Sequence, residues 1–425
     1  MESRNSQSKI VILGGNAETG ALVEVANRLG FYTVVIDPYP NAIAKVNAHK
    51  AYDVDVTDAV AVDEVINLER PAGVLVGVAD PLVPYYFQIC NRNRLSCYVN
   101  EASLAAFTSK ANFADICQQF GIPVTPNYRL NIENQSEIAS LPYPVVAKPV
   151  DAGAGVGMSV VRGPADLQEA VQKCLEVSIR KEYIVEKFMD CEDTLAYFTF
   201  VDGEVYLSAM ADRYKASTQN DGSAVCIGAE YPSKHLERFL SDVYPNLKKM
   251  FRSLELQNGV LLIQFFFESG KFHAYDPGFR LQGEAPHIYL KHFNGFDHRE
   301  MLLNFSVKNE MYDGDFNQVN SCLFHGNHAC TVWVILTTGT VSHIEGIHEL
   351  QSHPNVISVL TRFAVGDVIT SDMIGTERQV FARVYLVGES QGQLSEVVHD
   401  IHSAVVVQDK SGADMIQARH NYQKG

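Results

Sequence analysis

The sequence has no Cys-x-x-Cys pair and no set of cysteines and histidines with the spacing of a zinc site. Its eight cysteines are scattered singly along 425 residues. Single cysteines of this kind are typical of free, mostly buried thiols in a reducing compartment. The cysteine pattern therefore gives no indication of a zinc-binding module.

Positive charge and long hydrophobic runs are also scarce. The 34 basic residues are outnumbered by 50 acidic ones, giving a formal net charge of −16, which argues against nucleic acid or an anionic membrane as a partner. The apolar run at 260–267 is far too short to span a bilayer. The polar first residues run straight into a strand, unlike a signal peptide. We therefore expect a soluble, cytoplasmic protein.

The first hundred residues alternate apolar strand patterns with amphipathic helix patterns. This alternation predicts a parallel, doubly wound sheet. The first turn, GGNAETG, is not the Gly-x-Gly-x-x-Gly fingerprint of dinucleotide-binding folds, although Asp37 ends the second strand where a ribose-binding acid would lie. A nicotinamide enzyme is therefore a remote alternative, which NADH binding would test.

From Ser109 the pattern changes to a helix over 109–121 followed mainly by antiparallel strand signals. Tight hairpin turns are predicted at 201–204 and 268–271, and further helices at 165–174 and 233–254. A β-rich segment with short strands begins near residue 321, a helix follows at 394–403, and residues 411–425 read as a frayed terminus. The fold class expected is thus α/β followed by α+β.

A glycine-rich loop between two β-like runs is the most informative motif. Lys148 ends the first run, and Gly153, Gly155 and Gly157 alternate in the loop. Alternating glycines let backbone N–H groups converge on an anion without interference from Cβ atoms. This is not a Walker loop, because no Gly-Lys-Ser/Thr follows. The motif predicts a lid over a nucleoside triphosphate; a plain hairpin turn with a surface lysine is the alternative.

Further charged and amide residues follow in a fixed order. Lys110 opens the helix at 109–121, and Glu186 ends a later strand. Gln264 and Asp276 lie on two strands joined by one tight hairpin, so both can face the same side of the sheet. Neighbouring oxygen ligands are what Mg²⁺ takes when it also binds triphosphate oxygens. A satisfied core amide is the alternative for Gln264.

This series of motifs resembles the ATP-grasp superfamily over residues 9–307, and less securely to the end of the chain. The nearest pattern is that of carboxylate–amine ligases, including L-amino-acid ligases and carbamoyl-phosphate-synthase-like proteins. The resemblance implies a Rossmann-like N-terminal domain (1–106), a two-part ATP-grasp core made of a lid subdomain (107–182) and a core subdomain (183–318), and a small β-rich C-terminal domain (319–425).

The resemblance also implies roles for individual residues. ATP would be bound by the two lysines, the glycine loop, a hinge and a ribose-binding acid, in chain order Lys110, Lys148, Gly153, Gly155, Gly157, Glu186, Lys187, Phe188, Met189 and Asp193. Gln264 and Asp276 fall at metal-ligand positions, for Mg²⁺ or alternatively Mn²⁺. Arg280, with Lys148, would be catalytic, because a planar guanidinium suits an acyl phosphate.

One departure concerns the family's Glu-x-Asn-x-Arg motif. It reads here Asp276-Pro277-Gly278-Phe279-Arg280, so the asparagine is replaced by Gly278. The glutamate is replaced by Asp276, and Gln264 offers an amide oxygen but no charge, so one carboxylate remains where many relatives have two. Weaker metal binding, help from Glu268 or Glu284, and lost catalysis are all open.

The function implied by the resemblance is an ATP-dependent ligase that forms an amide through an acyl phosphate and releases ADP and phosphate. Small-molecule carboxylates and amines would be its substrates, and relatives are often homodimers. A bicarbonate-activating or carbamoyl-forming enzyme and a nucleotide-binding protein without ligase activity are the alternatives. Arg213 and His287 are candidate substrate residues, with a solvated turn and a solvated helix face as their alternatives.

Overall fold

The computed structural model of the chain describes residues 7–128, 130–152, 156–216 and 225–420. Gly153 and Gly155 of the predicted phosphate loop lie outside these ranges. Gly157 lies inside them. Within the described ranges we find no helix long and apolar enough to cross a membrane.

The first part of the chain forms a four-stranded parallel sheet in the order β3-β2-β1-β4. β1, β2 and β4 are apolar runs buried on both faces, as the interior of a parallel sheet requires, and β3 at the edge is largely exposed. The predicted doubly wound sheet is therefore confirmed. The elements are β1 (Lys9–Leu13), α1 (Ala17–Arg28), β2 (Tyr32–Ile36), β3 (Lys50–Tyr52), α2 (Ala59–Glu69), β4 (Gly73–Val76), α3 (Val83–Asn93), α4 (Glu101–Phe107) and α5 (Lys110–Gln119).

A small antiparallel sheet, in the order β5-β8-β6-β7, forms the second part, which we call the lid. Its own hydrophobic cluster, including Val145, Val161, Leu167 and Val185, separates it from the rest of the protein. The lid consists of β5 (Asn127–Tyr128), α6 (Gln135–Ser140), β6 (Val145–Pro149), β7 (Ser159–Val161), α7 (Leu167–Val177) and β8 (Tyr183–Lys187).

The third part contributes five long strands to a nine-stranded sheet. The predicted hairpin turns are confirmed, because β9 ends at Val201 and β10 begins at Glu204, while β12 ends at Glu268 and β13 begins at Lys271. The elements are β9 (Glu192–Val201), β10 (Glu204–Lys215), β11 (Cys226–Tyr231), α8 (Leu236–Asp242), α9 (Tyr244–Ser253), β12 (Gly259–Glu268), β13 (Lys271–Gly278), α10 (His287–Tyr289), α11 (His298–Lys308) and α12 (Phe316–Val319).

The last part extends that same sheet. β14 pairs with β11 and continues to β19 and β17, so hydrogen bonding crosses residue 319 without a break. The domain boundary predicted there remains a prediction. The elements are β14 (His328–Leu336), β15 (Gly339–Thr340), β16 (His343–Glu345), α13 (Ile347–Leu350), β17 (Val356–Thr361), β18 (Val368–Ile369), β19 (Val380–Gly388), α14 (Gln391–Ala404), β20 (Val406–Gln408) and β21 (Ile416–Ala418).

Two local predictions were wrong. The helix expected over 233–254 is two helices, α8 and α9, and a proline lies in the first turn of α9. The terminus expected to be frayed contains β21, which pairs with β14, and His420, which is 1% exposed. Backbone pairing and burial, neither visible in local composition, order these residues.

The first and third parts share one hydrophobic core. The rings of Tyr98 and Phe107 both pack on Phe279, close to the end of β13. At β4, a Cβ on Gly73 would lie 2.1 Å from the carbonyl oxygen of Ser306 in α11, so only glycine permits this approach. A Cβ on Gly278, the last residue of β13, would lie 3.6 Å from Oδ1 of Asp80, so the segment after β4 lies close to the end of β13.

Candidate active site

Two lid strands bring Lys148 and Glu186 together. Val146 of β6 is directly opposite Glu186 of β8. Lys148 lies two residues after Val146 on the same strand, so the side chains of Lys148 and Glu186 share one face of the lid. Nζ of Lys148 lies 2.6 Å from Oε2 of Glu186, and the two residues are 9% and 7% exposed. The ring of Tyr275, on β13, lies 5.8 Å from the same ammonium. The predicted pair is therefore assembled at the junction of lid and sheet.

Lys110 connects three parts of the cleft. It is the first residue of α5, whose N-cap is Ser109. Its Nζ lies 2.9 Å from Oδ1 of Asp276 and donates to the carbonyl of Ala152, also at 2.9 Å. Burial by itself would lower the pKa of Lys110, but Asp276 more than offsets this and the pKa is raised. The lysine is thus held as a cation beside the glycine loop.

Gln264 and Asp276 are directly opposite each other on β12 and β13. Nε2 of Gln264 donates to Oδ2 of Asp276 at 3.2 Å, while Oε1 of Gln264 accepts hydrogen bonds from Arg213 and Tyr275, each at 2.7 Å. These two donors occupy both lone pairs of the amide oxygen. Each carboxylate oxygen of Asp276 accepts one donor, from Lys110 or from Gln264, and keeps a lone pair for a metal ion, whereas Gln264 in this arrangement serves as a donor.

Metal binding by side chains alone receives little support. The described ranges contain no group of three or more histidine, cysteine, aspartate or glutamate side chains able to hold an ion. Of the two carboxylates considered as helpers, Glu268 is paired with Lys187 at 2.8 Å, and Glu284 lies 3.8 Å from Arg213. A divalent ion here would need oxygen ligands from a phosphate or from water.

Asp193 lies in a buried network instead of at an open surface. It is 2% exposed and accepts from Nη2 of Arg213 at 2.7 Å and from the hydroxyl of Tyr275 at 3.1 Å, and Lys215 also contacts it. Burial would raise the pKa of Asp193, but Arg213 and Lys215 lower it overall. The predicted contact of Asp193 with ribose would require these bonds to exchange, and so would the predicted contact of Arg213 with a substrate.

Arg280 is paired with an aspartate that the sequence did not reveal. Its guanidinium is bound to Asp80, which follows β4, and Nη1 donates to the carbonyl of Leu281 at 2.6 Å. Burial would lower the pKa of Arg280, but Asp80 raises it, so the group stays charged. The only available signal for Asp80 was its place after a strand of the parallel sheet, where ligands bind in such folds.

Glu284 is a second site residue whose environment the sequence did not show. Burial, and then the nearby charge of Glu377, raise the pKa of its carboxyl. Arg383 of β19 donates to the carbonyl of Gly283 at 2.5 Å and stacks on Trp333 with 4.3 Å to the ring centroid. Arg383 thus fixes the backbone that carries Arg280 and Glu284.

The remaining predicted residues lie at the edges of the cleft. Gly157 has φ +75°, and a Cβ there would lie 2.9 Å from Cγ of Pro149, so the lid requires glycine at this position. In the predicted hinge, the backbone N–H groups of Lys187 and Phe188 donate to Pro126 and Pro144, and Met189 is 8% exposed.

His287 does not join this cluster. It is 5% exposed, and burial followed by the charge of Arg299 lowers its pKa to about 3. The other charged neighbours that act on it are Asp297 and His298. It is not on the solvated helix face that was the alternative, and a contact with substrate remains only a prediction.

Comparisons with known proteins agree with this geometry. Residues 116–269 match the family described as D-ala D-ala ligase C-terminus. A formate-dependent phosphoribosylglycinamide formyltransferase of Vibrio vulnificus is 30% identical over 242 residues, which are 52% of this chain and 56% of that protein. The chain thus spans about half the length of the curated relatives it matches.

Two solved structures resemble nearly the whole chain. The L-amino acid ligase of Bacillus licheniformis has a TM-score of 0.77 at 15% identity, covering 95% of this chain and 99% of the other. The biotin carboxylase domain of Hydrogenobacter thermophilus 2-oxoglutarate carboxylase has a TM-score of 0.73 at 14% identity, covering 94% and 90%. At these identities the likeness shows the fold.

The chain has a small lid sheet, a large antiparallel sheet and two lysines that are each paired with a carboxylate at their junction. This arrangement is the ATP-grasp fold class. The solved structures show this fold over nearly the whole chain, as the motifs predicted, and residues 116–269 also match a ligase family.

Proposed function

We propose that the protein is an ATP-dependent carboxylate–amine ligase. It converts a small carboxylate to an acyl phosphate, transfers the acyl group to an amine, and releases ADP and phosphate. The observation that carries this proposal is the convergence of Lys110, Lys148, Asp276 and Arg280 in one cleft under the lid. The matched relatives, whose names describe formyl transfer to an amine-bearing compound, support the same class of reaction.

The triphosphate binds between lid and sheet. Lys110 and Lys148 each carry three donors. Lys110 uses two of them, on Asp276 and on the carbonyl of Ala152, and Lys148 uses one, on Glu186, so one and two donors remain for phosphate oxygens. Mg²⁺, which the H. thermophilus structure contains as its ADP salt, would be held by Asp276 and phosphate oxygens and would neutralise phosphate charge. Mn²⁺ is the alternative ion. The chain's own contribution is to position the terminal phosphate.

The chemical steps need no covalent enzyme intermediate. A carboxylate oxygen attacks the terminal phosphorus and ADP leaves. The amine nitrogen then attacks the carbonyl carbon, the bond to the phosphate oxygen breaks, and the departing phosphate takes the proton that nitrogen loses. Arg280 stabilises the negative charge on the acyl phosphate with a planar pair of donors. Closure of the lid excludes the water that would hydrolyse this intermediate.

The test is a screen for ADP formation with Mg²⁺ and ATP. Formate, bicarbonate and the twenty amino acids serve as carboxylates, each alone and with amino acids or phosphoribosylglycinamide as the amine. For a productive pair, ¹⁸O-labelled carboxylate should transfer one label to inorganic phosphate, and mass spectrometry should show the amide. Arg280→Ala should abolish ADP formation, and Arg92→Ala, which breaks an exposed pair with Asp63, should leave it unchanged.

Two outcomes would contradict the proposal. ADP release that depends on bicarbonate but not on any amine would indicate a carboxylase. Tight ATP binding without ADP formation across the whole panel would indicate a nucleotide-binding protein without ligase activity.

A further inference from the structure

A cavity of about 220 Å³ lies beside the predicted phosphate site, between α3, the lid and the end of β13. Much of its wall is apolar, formed by Pro84, Tyr85, Val99, Phe107 and Phe279. Pockets for drug-sized ligands usually measure about 300–1,000 Å³, so this volume suits a molecule no larger than an amino acid.

The wall of the cavity also carries charged groups. Three carboxylates (Asp80, Asp151, Asp276) and two cations (Lys110, Arg180) line it. Asp276 is paired with Lys110, and Asp80 is paired with Arg280 from outside the lining. With these two pairs set aside, Asp151 and Arg180 remain, so the wall offers one charged group of each sign.

Asp151 has an unused acceptor at this wall. Its Oδ2 accepts from the backbone N–H of Arg180 at 2.8 Å, but its Oδ1 is shielded from solvent and has no hydrogen-bond partner among the described residues. A buried acceptor without a partner costs about 1–3 kcal/mol, which a donor on a ligand would recover once the carboxylate turns towards the cavity. An ammonium group supplies such donors and a matching charge.

The cavity also lies where a second substrate must enter. Lys110 and Asp276, which we place at the phosphates and the metal ion, form part of its wall, and the Asp80–Arg280 pair adjoins it. An amine seated here would be next to the acyl phosphate. The geometry points to this cavity as the amine subsite, and its ligand is an unphosphorylated amine that bears an apolar side chain. This inference rests on the ligase function proposed above.

The same features disfavour a phosphorylated amine of the kind named in the curated relatives. Lys110 is already paired, and the guanidinium of Arg180 is exposed and donates to Thr108 at 3.4 Å. A phosphate would thus meet a single solvated cation beside the carboxylate of Asp151. The apolar surface formed by Tyr85 and Phe107 would also remain without a partner.

Calorimetric titration of the full-length protein with ADP and Mg²⁺ tests this inference independently of turnover. The probes are L-leucine, L-phenylalanine, L-aspartate, phosphoribosylglycinamide and inorganic phosphate. We expect leucine or phenylalanine to bind at least tenfold more tightly than the other three. Equal or tighter binding of phosphoribosylglycinamide would overturn the inference, as would failure of both apolar amino acids to bind. Binding of apolar amino acids without ADP formation in the screen would instead reject the ligase function alone.

A matched pair of lid variants locates the binding. Asp151→Asn keeps the shape of the side chain and removes its charge, and should weaken leucine or phenylalanine binding about tenfold with no change in ATP affinity. Glu176→Gln removes an exposed acid of the lid outside the cavity and should change neither. Unchanged amino-acid affinity in Asp151→Asn would show that the ligand binds elsewhere.

Discussion

Nζ of Lys148 lies 2.6 Å from Oε2 of Glu186, and the two residues come from neighbouring strands of the lid sheet. The ammonium is thereby fixed in one place under the lid before a nucleotide binds. Because this cation is already fixed, it stabilises a phosphate without the entropy cost of ordering a flexible side chain.

Lys148→Ala should weaken ATP binding strongly, because it removes a buried cation from the phosphate site. A hydrogen bond to a charged group contributes about 1.5–3 kcal/mol, so we expect a loss of roughly 10- to 150-fold in affinity by isothermal titration. Lys173→Ala, on the exposed face of α7, is the matched control and should bind ATP normally. Equal affinity in wild type and Lys148→Ala would refute the assignment of this lysine.

Arg280→Ala should abolish turnover while leaving ATP affinity within about twofold, because we place Arg280 at the acyl phosphate and not at the nucleotide. Arg280→Lys should restore little, since a lysine lacks the planar pair of donors. ADP formation and ATP titration on the same preparations separate the two effects. A large loss of ATP affinity in either variant would move Arg280 to the nucleotide site.

Asp276→Asn should raise the Mg²⁺ concentration needed for half-maximal ADP formation by tenfold or more, because it removes the carboxylate that fits the ion. Gln264→Met should not raise it comparably, since the amide oxygen is occupied by Arg213 and Tyr275. Magnesium titrations at saturating ATP measure both. A larger metal effect from Gln264→Met would show that its amide turns towards the ion.

Gly157→Ala should destabilise the lid by about 1–2 kcal/mol, because the residue has φ +75° and its Cβ would contact Pro149. Thermal unfolding should show a lowered midpoint, and ATP titration a weaker affinity. Gly163→Ala is the control in the same lid, because no atom lies within 4 Å of its Cβ position and its φ is not positive. Similar effects of the two substitutions would contradict the requirement for glycine at 157.

Acid should destabilise the protein partly through His298. Burial lowers the pKa of this histidine to about 4, against about 6.5 in the unfolded chain. Between these two pKa values the unfolded state binds the additional proton. The contribution of His298 to the free energy of unfolding is therefore complete above pH 6.5 and is lost as pH falls towards 4. Each such group contributes a slope of about 1.4 kcal/mol per pH unit.

His298→Gln should remove that part of the slope. Urea unfolding at several pH values from 7.5 to 4.5 gives the free energy of unfolding for wild type and variant. His348→Gln, an exposed histidine, should keep the wild-type slope. If His298→Gln has the wild-type slope as well, this histidine is already protonated in the folded protein.

Some of the site could be predicted because short-range connections determine it. Gln264 and Asp276 are opposite each other because a tight turn joins their strands, and the turn was readable from Glu268-Ser269-Gly270-Lys271. Placing Lys110 at the start of a helix was equally local, since Ser109 before it is a good N-cap. The roles of these residues came from the resemblance, not from the pattern.

Other site residues could not be predicted because their partners are distant in the chain. Asp80 and Arg280 are 200 positions apart, and the sequence around either residue does not indicate that the two form a pair. The extension of the large sheet by β14 and β19 was also invisible, because a strand's composition does not state which strand it pairs with.

The sequence by itself determined the local elements, the order of the charged motifs and the fold class, because periodicity, turn residues and spacing are properties of neighbouring residues. Only the tertiary structure decided which charges are paired, that Asp193 and His287 are buried, and that a small, partly apolar cavity adjoins Lys110 and Asp276. Pairing and burial depend on how separate elements pack, and packing is settled by the whole fold at once.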